Sequence, residues 1–375
     1  MNNIKVTQKA VIKDPNLMLI KEKVENLCKA SILQSISAKR DSNLYKYDFK
    51  DSKINKQEFT SLGTVFGKYY DTLSVESKKN FYKNVYTKNS SDQKLTQFIS
   101  QSKIDLKKNL SVFEQFNFAS DLQFVTNINA KLIENTFSSF VSTEFTTLAT
   151  PAPAPKKIKE VHFKLESIKC LDETDPEFLG SDKIAIGGAA TDDKGETSKI
   201  SKRDLGSNFN DGTNVNFNPD LLFKRFVLND NTYPKSFVII PFLAEIDNGG
   251  FSDFLNEAYK SIKDAVAILL GAAGAAAGAW IGAQIGGTVG SAVAGPIGTI
   301  IGILAGLILG ALIGWLVQSL MDDIFQITDE HFSGITLENA SSNFNGNDTS
   351  PVYRMIFSDH NARYRLKYYW EIVRA

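Results

Sequence analysis

The chain reads as an α+β multidomain protein. An N-terminal helical domain (1–149) leads through a Pro-Ala linker (150–157) into an antiparallel β-sandwich (158–263 and 323–375). A long hydrophobic glycine-zipper helical hairpin (264–322) interrupts that sandwich. Three observations predict this. Apolar residues recur at helical spacing through the first 150 residues. They alternate at spacing two on both sides of one apolar run. That run, Ala265 to Met321, is 57 residues without a charge.

The helical half opens at Asp14-Pro15, an acceptor at the N-cap followed by proline at the first helical position. Ile20, Val24, Leu27 and Ser31, with Cys28 and Ile32 beside them, share one face of a 3.6-residue period. Further helices are expected near 55–71, 74–88 (with Leu73-Ser74 as its start), 91–109 and 111–141. Thr150-Pro151-Ala-Pro-Ala-Pro155 favours extended polyproline and cannot continue a helix.

After the linker, Val161, Phe163 and Leu165 alternate with polar residues, and Ile168 and Cys170 continue after a one-residue slip. That pattern is a half-buried strand with a bulge. Strands are also expected at Lys183–Ile186, Leu221–Leu228, Ser236–Glu245, Gly334–Leu337, Val352–Phe357 and Tyr364–Val373. Residues 187–218, rich in Gly, Asp, Asn and Ser, read as long loops.

Charge and composition exclude several function classes. The 42 basic and 42 acidic side chains cancel, which argues against a dedicated nucleic-acid partner. The balance is a partition: residues 1–150 carry +7 and residues 151–375 carry −7. Cys28 and Cys170 are too few for a disulfide framework or a four-thiolate zinc site, and read as buried free thiols. His162, His331 and His360 are the only histidines, none at metal-motif spacing. No catalytic residue is assigned and an enzyme is not expected: residues 1–150 hold no histidine to serve as a base. The N-terminus lacks an apolar segment with a cleavage site, so export without a cleavable signal is expected.

The uncharged run has room for two transmembrane helices of about 20 residues each. Gly295-Pro296 is its natural turn, with both ends on one side. Of the chain's 25 glycines, 13 lie here. Gly274, Gly278, Gly282, Gly286 and Gly290 are spaced by four, as are Gly298, Gly302, Gly306, Gly310 and Gly314. Interior glycines cost roughly 1 kcal/mol each against alanine, so two such ladders imply close helix packing of the GxxxG kind. The second arm has 15 large apolar residues among 25, including Ile300, Leu304, Ile308 and Trp315. The first is mostly alanine and glycine and carries Gln284, Thr288 and Ser291 on one face, where they could line a pore.

This segment resembles the hydrophobic hairpin of colicin-type pore formers and the glycine zippers of bacterial membrane-inserting toxins. The resemblance covers about 60 of the 375 residues. It implies a secreted toxin or effector whose soluble form shields the hairpin. On a target membrane the hairpin would insert and oligomerise into a pore. The partners are then a lipid bilayer, further copies of the chain, and a receptor or delivery machinery. The alternative is a binding protein held constitutively in a bacterial membrane, with the hairpin as an inert anchor. A purified chain that stays in solution without detergent separates the two.

Two acidic stretches border predicted strands. One holds Asp172, Asp175 and Asp182, the other Asp247 and Asp253, beside glycine turns. Such clustered oxygens suit Ca²⁺, and they are equally ordinary turn residues. They faintly resemble the calcium loops of C2-like sandwiches. No cofactor is otherwise required.

Overall fold

The computed structural model describes residues 3–8, 15–40, 62–75, 77–79, 82, 93–108, 110–116, 156–173, 182–193, 197–233, 235–245, 251–277, 296–320, 331–359 and 362–375. Its helices are α1 (Pro15–Arg40), α2 (Leu62–Thr72), α3 (Gln93–Gln101), α4 (Val112–Gln115), α5 (Phe251–Ala277) and α6 (Pro296–Leu320). Its strands are β1 (Ile158–Asp172), β2 (Asp182–Thr191), β3 (Thr197–Phe209), β4 (Asn214–Val227), β5 (Lys235–Glu245), β6 (Ser333–Leu337), β7 (Tyr353–Asp359) and β8 (Ala362–Arg374).

The strands form two antiparallel sheets, ordered β4-β1-β8-β7 and β3-β2-β5-β6. Period-two alternation explains their packing. Val161, Phe163 and Leu165 of β1 and Leu366, Tyr368 and Trp370 of β8 turn inward. They meet Ile184 and Ile186 of β2 and Phe237, Ile239 and Leu243 of β5 in one sandwich core. The expected slip in β1 appears as a register shift between Leu165 and Ser167 against both neighbours. Residues 3–8 close one edge: Thr7 and Gly334 exchange main-chain hydrogen bonds of 2.8 and 2.9 Å, and Ile4 joins the sandwich core.

The second sheet is buried on both faces, which is why β5 reads as a continuous apolar run. Val238, Ile240 and Phe242 point away from the sandwich, with Ala189 of β2, into a second core. There they meet Leu27 and Val24 of α1, Phe66 of α2, Tyr259 and Ile262 of α5, and Leu304 and Ile308 of α6. The architecture is therefore three layers: sheet, sheet and helices. Cys28 and Cys170 are buried free thiols, and burial raises the Cys28 pKa.

Capping chemistry sets the described N-terminal helices. Ser111 and Glu114 make a reciprocal capping box at α4. Ser74 Oγ accepts from the Ser77 amide at 3.0 Å, which suits its expected role as a helix start. Most of the expected helix 111–141 lies outside the described residues.

Two expectations change. Residues 187–218 are not long loops: they complete β2, form β3 and begin β4. Gly187, Gly188, Ala189 and Ala190 lack the usual strand signature: Ala189 packs in the helical core and Ala190 in the sandwich core, and a Cβ at Gly188 would meet the Ile240 carbonyl oxygen at 2.7 Å and the Phe223 ring at 3.4 Å. In β4, Asn214 and Asn216 alternate with Val215 and Phe217, which pack on the sandwich core.

The hairpin changes too. Residues 265–277 of its first arm belong to α5, which starts at Phe251 and carries Asp253, Glu257, Lys260, Lys263 and Asp264 before the uncharged run begins; the rest of that arm lies outside the described residues. Phe254, Leu255, Ala258, Tyr259 and Ile262 form the buried stripe of α5. Among the described residues no helix is long and apolar enough to cross a membrane. α6 does begin at Pro296, as the turn predicts, and in this fold it is a core helix.

Candidate functional site

α6 is apolar on more than one side, and the fold covers much of it, leaving Leu307, Ala311 and Trp315 half-buried. Ile301, Leu304, Ala305, Ile308, Leu309 and Leu312 are all buried. A helix without a polar face must be enclosed by protein or by lipid. Here α5, α1 and β5 pack directly on it. The Lys29 ammonium of α1 lies 5.9 Å from the Trp315 ring centre and also pairs with Glu25 at 2.8 Å. α2 covers α5 in turn, with Tyr69 stacked on Phe254 at 4.8 Å and Phe66 edge-on at 5.7 Å.

Two glycines of the α6 ladder, Gly302 and Gly306, face the sheet. A Cβ added at Gly302 would stand 2.9 Å from Thr191 Oγ1 and 3.2 Å from Thr191 Cβ. One added at Gly306 would overlap Ile240 Cδ1 and lie 3.9 Å from the Tyr259 ring. The missing side chains are thus replaced by Thr191 of β2, Ile240 of β5 and Tyr259 of α5. Gly310 is also buried. Gly298 and Gly314 lie within α6, and Gly274 within α5. Gly278, Gly282, Gly286, Gly290, Gly295, Gln284, Thr288 and Ser291 lie outside the described residues.

A polar knot crosses this seam. The Tyr259 hydroxyl donates to the Gly302 carbonyl at 3.0 Å and lies 2.9 Å from Thr191 Oγ1. Both side chains are buried. The sequence reading missed them. Tyr259 sits four residues after Leu255 on an apolar helix face, and a buried tyrosine there needs a partner for its hydroxyl. That was the available signal.

The acidic candidates do not converge. Asp172 ends β1 opposite Arg363, and Asp182 starts β2 opposite Phe209. Asp253 sits in the first turn of α5 and is ion-paired with Lys199 of β3. Asp175 and Asp247 lie outside the described residues. Among the described residues no group of three His, Cys, Asp or Glu side chains is placed to hold a metal ion.

A different ionic cluster is built in. Lys235, only 2% exposed, pairs with Asp193 and with Asp230, the latter at 2.7 Å. Burial pulls the Lys235 pKa down, but hydrogen bonds to Asp193 and Asp230 outweigh it and hold it above the usual lysine value. It ties the start of β5 to residues just past β2 and just before β5.

The outer face of the first sheet carries the remaining charge chemistry. At one end the His162 ring bridges Glu160 at 2.7 Å and Glu371 at 3.2 Å, and Lys164 pairs with Glu371 at 2.8 Å. The hydrogen bond from His162 holds Glu160 below the usual carboxylate range. The Tyr369 hydroxyl donates to Asp220 at 2.8 Å. At the other end lie Lys169, Arg354, Arg363, Arg365 and Lys367.

Comparison with family models, with curated proteins and with solved structures gives no match to this chain.

Proposed function

We propose that this chain is a membrane-inserting, pore-forming protein whose folded state sheathes its uncharged segment. In the folded state α6 packs between β5, α1 and α5; in a second state, residues 265–321 would leave the core, enter a bilayer and self-associate through small-residue faces. The observation that carries the reading is the seam. A 25-residue helix without a charge is seated glycine-first on β2 and β5, under a cover of amphipathic helices. Close seating by glycine, instead of interdigitated large side chains, supports a helix that detaches as a unit. No enzyme chemistry is assigned.

The test is release of a trapped dye from liposomes, with and without a tether across the seam. Cysteines at Thr191 and Gly302 would have their Cβ atoms 3.2 Å apart, a few tenths of an ångström inside the usual disulfide range. Wild type is expected to release dye after acid, Ca²⁺ or limited protease treatment. The oxidised Thr191→Cys/Gly302→Cys protein is expected to stay silent until a reductant is added. A wild type that never releases dye ends the pore reading. Equal release by the oxidised and reduced forms shows that α6 need not leave β2.

A further inference from the structure

The half of the outer sheet face that holds Lys169, Arg354, Arg363, Arg365 and Lys367 is arranged against itself. In register, Arg354 of β7 lies directly opposite Lys367 of β8, and Lys169 of β1 lies directly opposite Arg365 of β8. Like charges directly opposed across strands are destabilising. Within these strands the carboxylates on this half are Glu166, 3.2 Å from Lys367, and Asp172, opposite Arg363. Arg354 and Arg363 are exposed. Arg365 Nε is buried and has no hydrogen-bond partner among the described residues. The helical core lies on the other sheet, so this face points outward.

We propose that this basic half-face is the surface by which the chain docks on a bilayer carrying anionic phosphate headgroups. The inference rests on the membrane reading above and names the lipid it would select. Lys367 has Glu166 as its counter-charge, and a plane of phosphates would supply one to Arg354, Lys169 and Arg365, for which no ion pair is seen among the described residues. The cations lie on three adjacent strands of a sheet, spaced about 4.8 Å from strand to strand, which suits a surface more than a single chain in a groove. Ile356, opposite Arg365 on the same face, adds an apolar side chain at interfacial depth. Among the described residues the outward positions between these five cations carry no aromatic ring, which favours a lipid surface over stacked nucleic-acid bases. Each basic residue near an anionic surface strengthens binding by roughly fivefold.

The experiment is co-sedimentation of the full chain with vesicles of phosphatidylcholine alone, or with about one third phosphatidylglycerol. The expected result is binding to the anionic vesicles only, lost at high salt. Arg354→Gln/Arg363→Gln, at two exposed positions, should bind roughly 25-fold more weakly with an unchanged thermal melt. Arg225→Gln, at the opposite end of the face beside Glu160, should bind as wild type does. Equal binding to both vesicle types, or wild-type binding by the double variant, overturns the proposal. So does variant-sensitive capture of RNA without vesicle binding. Dye release separates the two readings. Binding without release ends the pore and keeps the docking surface, whereas release with binding unaffected by the variant ends the docking surface alone.

Discussion

The Tyr259 hydroxyl donates to the main-chain carbonyl of Gly302 at 3.0 Å, inside a seam where three elements meet. A phenol has one proton, so Thr191, 2.9 Å away, must donate to the same oxygen. α5, β2 and α6 are thereby joined by two directed bonds.

The first prediction concerns this knot. Tyr259→Phe removes the acceptor for Thr191 and one partner of Gly302. It should destabilise the fold by about 1–2 kcal/mol. Thr191→Val keeps the side-chain shape and should cost a similar amount. The double variant should cost less than the two singles together, with a coupling of about 1 kcal/mol, because either change alone breaks the same bond. Urea unfolding of the four proteins measures this. Strict additivity would mean that the hydroxyls do not act together.

A second prediction follows from the glycines. Gly→Ala inside a helix gains up to about 1 kcal/mol of propensity. At Gly302 the new methyl would meet Thr191 Oγ1 at 2.9 Å and its Cγ2 at 3.0 Å, on a short β-branched side chain already bonded to Tyr259. At Gly306 it would meet the far end of Ile240, which can swing away. Gly302→Ala should therefore destabilise by about 1–3 kcal/mol, the usual range for overpacking. Gly306→Ala should cost less. Ile240→Val, which deletes the obstructing methyl, should rescue Gly306→Ala and not Gly302→Ala. Chemical denaturation of these variants decides it. Leucine at Gly302 or Gly306 would disturb the sheathed state itself, so loss of leakage in such a variant would not isolate pore packing.

Which parts of this were legible in sequence follows from where the physics is local. Pro15 and Pro296 start helices because proline has no amide to lose at the first position. The slip between Leu165 and Ile168 is visible because strand period is two. The first half of β2 is legible as Lys183–Ile186, but its second half and β3 are hidden. Thr191 is small where Gly302 of α6 meets it, and Ala189 lies in the helical core beside α5, which are tertiary causes. β3 is an edge strand that exposes Ser201, Lys202 and Arg203. The seam pairs Thr191 with Tyr259, 68 residues apart, and no local pattern joins them. The ladder implied close approach, but not that a sheet would be its partner. The basic half-face needed strand register before its charges could be seen to stand opposite one another.

The third prediction uses pH. Asp264 lies in α5 between the buried Ile262 and Ala265, itself half-buried. Burial raises its pKa above the ordinary 3.8, against the opposing pull of Lys263 and Lys260. A carboxyl with a raised folded pKa binds more protons folded than unfolded, so its contribution to stability falls as pH rises through that window. At neutral pH the ionised group works against the fold. Asp264→Asn should therefore melt at a higher temperature than wild type at pH 7. The gap should narrow as pH falls through the raised value and close below 3.8, where the acid is protonated in both states. Thermal melts of both proteins from pH 3.5 to 7.5 test this. A constant gap would mean the asparagine acts through packing. A gap that widens on acidification would mean that ionised Asp264 is favoured by its lysine neighbours after all. The expected sign also bears on insertion. Acid would neutralise the charge that directly precedes the uncharged run without weakening the fold at this position, so any acid trigger for release must act at other groups.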